Sequence, residues 1–253
     1  VIDVITCRGT GEPQGSPNNM LTQVTRQLDP RRYRVLGDVV YPASVGVANE
    51  GFRINGPSEA DSIRIGIANL ATMIRSTPNM VVLLGYSLGA ELVTKFSEAQ
   101  ARGLYSDCEI AATACVANPQ RRAGDSIDPV PAGFGINGER GVFPDRPHFE
   151  AANPRDAITS CAPGSPLRAL ADVMSAFGLA MIGAWSKDLL NRMLQRRWQP
   201  AGWGDIMHPV KTWEMYQQAA DDVRGYLTGQ HTTAYSQGGY LDRLAVALNN
   251  VGG

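Results

Sequence analysis

The sequence predicts an α/β protein: a central parallel sheet of about five strands flanked by helices, with a helical segment inserted late in the chain. Three observations carry this. Short apolar runs alternate with stretches of helical period through about the first 160 residues. The run MVVLL at 80–84 is apolar at every position, as expected of a strand covered on both faces of a parallel sheet. Roughly the last 90 residues drop the strands and keep only the helical period.

Element by element, IDVITC (2–7) reads as the first strand. A Gly-rich loop RGTGEPQGSPNN follows, then a helix through MLTQVTRQL (20–28). YRVLGDVVYP (33–42) is a second strand. SEADSIRIGIANLATMIR (58–75) places Ile63, Ile67, Leu70 and Ile74 on one helical face. After MVVLL comes a helix from about Leu88, with Leu92 and Phe96 in register. IAATACVA (110–117) is the fourth strand, and a short fifth ends near Asp156. Beyond it, Leu167, Leu170, Met174, Phe177 and Met181 recur at helical spacing, opened by Ser165 as N-cap and Pro166 in the first turn. Further helix runs through 189–198 and 209–227, and Leu241, Leu244 and Leu248 share a face of the last one. The domain division that follows is a core of 1–163 and 226–253 interrupted by a helical insertion at 164–225.

Composition narrows the function classes. A formal charge of −1 and a pI near 6.3 offer no electrostatic footprint for nucleic acid, and the basic runs Arg121-Arg122 and Arg196-Arg197 are too short to make one. The longest apolar candidate, MSAFGLAMIGAW at 174–185, falls well short of the ~20 residues a membrane span needs. No stretch reads as a secretory signal peptide, although a first residue of Val1 rather than Met leaves export open. The four cysteines (Cys7, Cys108, Cys115, Cys161) and three histidines (His148, His208, His231) form neither CxxC nor HExxH, which argues against zinc. Cys7 and Cys115 lie in strand-like apolar runs; Cys108–Cys115, or a pair with Cys161, is the only disulfide candidate.

The chemistry-bearing feature is Gly85-Tyr86-Ser87-Leu88-Gly89. In a chain with 27 glycines a bare G-x-S-x-G is a weak signal, and its context strengthens it. MVVLL enters and AELVTKF leaves, as a nucleophile elbow requires: a buried strand turns straight into a helix, with glycines where a Cβ would clash. Ala234-Tyr235-Ser236-Gln237-Gly238 looks similar but lacks the first glycine and follows no strand. A serine hydroxyl needs a base, and the base needs an orienting acid. Behind such an elbow the chain order is Ser, acid, His, which points to His231 or His208. His231 lies in a loop between helical stretches, where a base can hang over the sheet edge; His208 precedes a helix-opening proline. Asp156 is the leading acid, with Asp145 and Asp128 as alternatives in proline-flanked loops. For the oxyanion, the backbone N–H of Leu88 and that of Thr10, in the loop C-R-G-T-G-E after the first strand, are the candidate donors. That loop is no phosphate cradle: Gly9, Gly11 and Gly15 miss G-x-G-x-x-G, and no G-x-x-x-x-G-K is present.

With these residues in view, the chain resembles the cutinase-like α/β-hydrolases, and within them the lysin B esterases of mycobacteriophages. The resemblance is carried by GTG at 9–11, YPA at 41–43, GYSLGA at 85–90, NPQR at 118–121, PRDAI at 154–158 and a late histidine. Asp156 and His231 stand 75 positions apart, the long spacing of lysin B rather than the short one of secreted cutinases. The resemblance implies a triad of Ser87, Asp156 and His231, with Thr10 at the oxyanion. It also implies no metal and no cofactor. The implied substrate is a lipid ester of the cell envelope, mycolyl-arabinogalactan, cut during phage lysis by a soluble enzyme made in the host cytoplasm. The chain departs from the pattern in three places. Leu88 stands where Gln is common, Arg8 precedes the loop as in cutinases, and no cysteine lies close before Asp156 to pair with Cys161. Two other readings stand beside it: a secreted cutinase-like lipase or esterase, and a non-catalytic α/β binding domain that keeps the elbow as a turn. The apolar residues of the insertion, with Trp185, Trp198, Trp203 and Trp213 nearby, form either a wall for an acyl chain or an ordinary helical core.

Overall fold

Five strands, all parallel, make one sheet in the order β2-β1-β3-β4-β5. In chain order these are β1 (Ile2–Cys7), β2 (Tyr33–Asp38), β3 (Val81–Tyr86), β4 (Ile110–Val116) and β5 (His148–Ala151). The computed structural model describes residues 1–44, 57–129, 132–168, 217–219, 221–222, 224–226 and 228–251. The helices that lie wholly within them are α1 (Met20–Thr25), α2 (Glu59–Arg75), α3 (Leu88–Ala101), α4 (Thr233–Gln237) and α5 (Tyr240–Asn249).

Strand alternation sorts the core into two layers. Val81 and Leu83 of β3 join Ile5, Cys7, Leu70, Ile74, Leu92 and Phe96 beneath α2 and α3. Val82, Leu84 and Tyr86 point the other way, against Leu21 and Val24 of α1 and Leu241, Leu244 and Leu248 of α5. The chain thus leaves β1 for one face of the sheet and β3 for the other. A crevice opens between the carboxyl ends of these neighbouring strands, the switch point at which open α/β sheets bind ligands.

Local signals explain the element ends. Ser58 caps α2 by accepting from Asp61 N–H at 3.1 Å, Glu59 and Asp61 occupy its positive end, and Arg75 its last turn. Ser165 also caps as expected: Leu167 N–H donates to its Oγ at 3.3 Å, and residues 166–168 are helical. Helix α1 stops at Thr25, short of the expected Leu28, because Gln27 and Leu28 tighten into i→i+3 bonds with Val24 and Thr25. Strand β2 ends at Asp38 rather than Pro42, past Gly37 at φ 106° and a register shift opposite Val4/Ile5. Strand β3 instead runs past Leu84, since Gly85 and Tyr86 still pair with Cys115 and Val116.

Two further expectations are corrected. The fifth strand ends at Ala151, so Asp156 lies in a turn beyond it and not at its tip. Pro154 has no N–H to donate to a ladder, and Asn153 closes the turn by accepting Arg155 N–H on its side chain (3.0 Å) and Asp156 N–H on its carbonyl (3.0 Å). All four cysteines are free and buried, so none of the disulfide candidates forms. Leu170, Met174, Phe177, Met181, Trp185, Trp198, Trp203, His208 and Trp213 lie outside the described residues, and with them most of the 164–225 segment.

Candidate active site

Ser87 sits at the corner between β3 and α3 with φ 53° and ψ −117°, a backbone conformation L-residues seldom adopt. The surroundings hold it there. Its N–H donates to Val116 O at 2.9 Å, and its carbonyl accepts the N–H groups of Ala90 and Glu91. A Cβ on Gly85 would lie 2.4 Å from Gly89 O, and one on Gly89 would lie 1.8 Å from Cys7 O. Both glycines are therefore required by backbone packed against backbone, which is the physical content of the G-x-S-x-G spacing.

Three segments converge on this corner. His231 Nε2 is 2.9 Å from Ser87 Oγ, and His231 Nδ1 is 2.9 Å from Asp156 Oδ2. All three residues are buried, Ser87 and His231 at 4% exposure and Asp156 at 1%. Asp156 is saturated with donors: Tyr235 O–H reaches Oδ2 at 2.8 Å and Ile158 N–H reaches Oδ1 at 3.0 Å. The imidazole stacks with two aromatic rings, Tyr86 at 5.6 Å and Tyr226 at 5.5 Å between centroids. Tyr86 O–H also donates to His231 O at 2.9 Å, and Asn153 Nδ2 donates to Gln230 O at 2.8 Å, fixing the loop on both sides of the ring.

The loop after β1 forms the opposite wall. Glu12 N–H closes a turn onto Gly9 O at 3.2 Å, with Gly11 at φ 75° and Thr10 outside the positive-φ residues, which makes it type II. Gly9 N–H is taken by Glu12 Oε2 and Gly11 N–H by Ala43 O. Thr10 N–H has no backbone acceptor among the described residues, and Thr10 Oγ1 is buried with no partner. Thr10, Ser87, Tyr86, Tyr226 and His231 line one groove of about 650 Å³. Leu88 is the first residue of α3; its side chain packs into the α2–α3 core, so its contribution to the site is confined to the backbone.

No protein-family model matches the chain, and no curated protein matches it in sequence. Solved structures do. Lysin B from Mycobacteriophage D29 is similar at a TM-score of 0.55 and 16% identity, over 89% of this chain and 90% of that one. The catalytic core domain of acetyl xylan esterase from Trichoderma reesei gives 0.48 and 17%, over 86% and 98%. A cutinase-like protein from Cryptococcus sp. gives 0.41 and 19%, over 63% and 78%. The chain has a cutinase-like α/β-hydrolase fold.

Within this cutinase-like fold, the site residues expected from sequence are sorted clearly. Ser87, Asp156 and His231 are brought into one hydrogen-bonded line, with Thr10 on the same groove. Asp145 is exposed, and Asp128 pairs with Arg243; neither is the carboxylate at His231. His148 pairs with Glu150 and Thr113. Cys115, His148 and Glu150 form a group of metal-ligand type that the cysteine and histidine spacing gave no hint of. Glu150 Oε2 is buried without a partner, but the other ligand atoms are engaged: His148 Nε2 meets Glu150 Oε1 at 3.0 Å, Asn118 Nδ2 meets that oxygen at 2.7 Å, and the Cys115 thiol faces Ala90 O. Burial, first, and the neighbouring Glu150 carboxyl push that thiol well above its ordinary range, opposing the thiolate a metal needs. Sequence reasoning does not single out the roles of Tyr86, Tyr226, Tyr235 and Asn153. The sole sequence hint was their closeness to Ser87, His231 or Asp156 along the chain.

Proposed function

We propose that this protein is a serine carboxylic ester hydrolase. The observation that carries the reading is the unbroken Ser87–His231–Asp156 line at 2.9 Å per step, on a serine held at a strained corner. His231 Nε2 takes the Ser87 proton as Oγ attacks the ester carbonyl. Asp156 accepts from Nδ1, which fixes the tautomer and stabilises the imidazolium, and Tyr235 and Ile158 N–H keep the carboxylate oriented. The tetrahedral oxyanion is held by the backbone N–H groups of Leu88 and Thr10. An orphaned N–H and a buried unpartnered hydroxyl at Thr10 support its half of that role. His231 then protonates the leaving alcohol, and water repeats the cycle on the acyl-enzyme.

For the substrate, the reading is a lipid ester of the mycobacterial envelope, mycolyl-arabinogalactan, cut during phage lysis. Its supports are the similarity to lysin B over nearly the whole of both chains and a groove beside Ser87 furnished with Asn18, Gln23, Thr233 and Ser236, which suits a hydroxyl-rich alcohol. The core of 1–163 and 226–253, with 164–225 as an insertion, belongs to the same proposal. No helix of the described residues is long and apolar enough to cross a membrane.

The test is hydrolysis of p-nitrophenyl esters from butyrate to palmitate, followed by release of mycolic acids from purified mycobacterial cell wall. Ser87→Ala and His231→Ala are each expected to lose about three or more orders of magnitude in kcat while remaining folded. Wild-type turnover in Ser87→Ala would sink the esterase reading. Ester turnover without mycolate release would sink only the substrate.

A further inference from the structure

The chemistry of the triad leaves unused the one acid that lines the groove, the half-buried Glu12. Glu12 closes the turn that carries Thr10, and each of its carboxylate oxygens is taken by a backbone donor: Oε2 by Gly9 N–H at 2.7 Å and Oε1 by Met20 N–H at 2.7 Å. It therefore bridges the first residue of the turn to the first residue of α1. Burial pushes the Glu12 carboxyl up from the ordinary range, while the two N–H groups pull it back, so this is a desolvated acid held by its partners. With both oxygens occupied as acceptors it is badly placed to act as a general base.

Its placement matters because of where the loop's donors go. Gly9, Gly11 and Glu12 N–H are all consumed within the protein, which leaves Thr10 N–H over. In a type II turn, swinging the residue that precedes Thr10 swings Thr10 N–H with it. The rest of the loop is anchored from outside: Arg8 donates to Glu12 O at 2.7 Å and to Tyr41 O at 2.7 Å, and Tyr41 O–H donates back to Arg8 O. Glu12 supplies the one side-chain tie between the turn and α1. An acceptor-only side chain is needed there, since a Gln offers one acceptor and turns an NH₂ against the second N–H.

Resting on the esterase reading, we infer that Glu12 is the positioning residue of the oxyanion loop, clamping Gly9 N–H and Met20 N–H so that Thr10 N–H is held ready for the oxyanion. Glu12 touches no reacting atom in this role; it acts through Thr10. The loss on breaking the clamp therefore falls on the transition state and not on substrate binding.

Glu12→Gln tests this with p-nitrophenyl butyrate and with an alkylboronic acid, which adds to a serine hydroxyl as a tetrahedral anion. The expected result is a kcat lowered roughly 10–100-fold with KM within about twofold, and boronate affinity weakened by a similar factor, in a protein that unfolds near the wild-type temperature. Glu12→Asp keeps the charge but cannot span both donors, and should show the same split at smaller size. This second variant covers the case in which Gln prevents folding. Full kcat in either folded variant, or a loss carried by KM, overturns the inference. Ser87→Ala run alongside separates the two failures. If Ser87→Ala keeps turnover and boronate binding, the esterase reading and this inference fall together; if it is inert while the Glu12 variants are fully active, only this inference falls.

Discussion

At the scale of single residues, the site is built from conformations and partners that stability alone would not select. Ser87 holds a backbone conformation worth about 1–3 kcal/mol of strain, retained because its neighbours over-determine it. Ser87→Gly should therefore raise the melting temperature by a few degrees while abolishing turnover; a lower melting temperature would mean that the Ser87–His231 bond outweighs the strain. Tyr235 is the converse case, a side chain whose removal leaves others stranded. Its hydroxyl donates to Asp156 Oδ2 and accepts Asn153 N–H at 3.1 Å. Tyr235→Phe keeps the ring but orphans a buried N–H, for an expected loss of about 1–3 kcal/mol in urea denaturation and a roughly 3–10-fold fall in kcat/KM. The contrast between these two residues explains what could be read from sequence. Ser87 was legible because the elbow writes its demands beside it: Gly85 answers to Gly89 and Ala90 in the next turn, and even Gly89, which answers to Cys7 O on the neighbouring strand, sits two positions from the serine. Tyr235 was not, because its partner lies 79 positions away and a tyrosine carries no mark of which carboxylate it will meet.

Elements show the same division. Helix α2 and strand β3 were legible because capping, period and unbroken apolarity act locally. The end of β5 was not, because a ladder stops where its neighbour stops offering partners, a property of the sheet. Nor was the seam between α2 and α3, where two acids meet. Asn137 Nδ2 donates to Glu59 Oε1 at 3.1 Å and to Glu91 Oε2 at 3.0 Å, and the Lys95 charge acts on both carboxyls. Burial, reinforced by the adjacent Glu59 carboxyl, pushes Glu91 up to about 8, and burial raises Glu59 as well. Below about pH 4.5, Glu91 is protonated in both folded and unfolded chains and places no slope on stability. Between there and about 8 the unfolded chain gives up that proton while the folded one keeps it, so stability falls as pH rises through this window. Glu91→Gln keeps an acceptor for Asn137 and removes the titration. It should flatten the pH dependence of the melting temperature between 5 and 8 and exceed wild type at the alkaline end. An unchanged slope would assign the fall to other groups.

Over the whole molecule, the site depends on long-range closure. Ser87 comes from the middle of the sheet, Asp156 from the turn past its edge, and His231 from a C-terminal segment 144 positions from the serine. That segment is tied to the sheet by α5, whose Leu241, Leu244 and Leu248 close one of the two cores. Polar ties from the β1–β2 side reinforce it: Tyr33 O–H donates to Leu248 O, Asp29 N–H to Asn249 Oδ1, and Gln27 to Asp242. If α5 detaches, Tyr235 and Tyr240, which bond the Asp156 turn, are pulled from it, and the hold on His231 falls back on the Tyr86 O–H bond to its carbonyl and the Asn153 tie to Gln230. Two outcomes are possible under urea. If α5 and the sheet are one cooperative unit, loss of esterase activity and loss of ellipticity share a midpoint; if α5 opens first, activity disappears at lower urea than the fold. Burial throughout the shared core favours the first, because Leu244 and the strand residues Val82, Leu84 and Ala114 of the same cluster are all fully buried. Leu244→Ala should then cost about 2–4 kcal/mol and move both midpoints down together. Midpoints that separate in this variant, with activity falling first, would show that the base is carried on an independently opening segment.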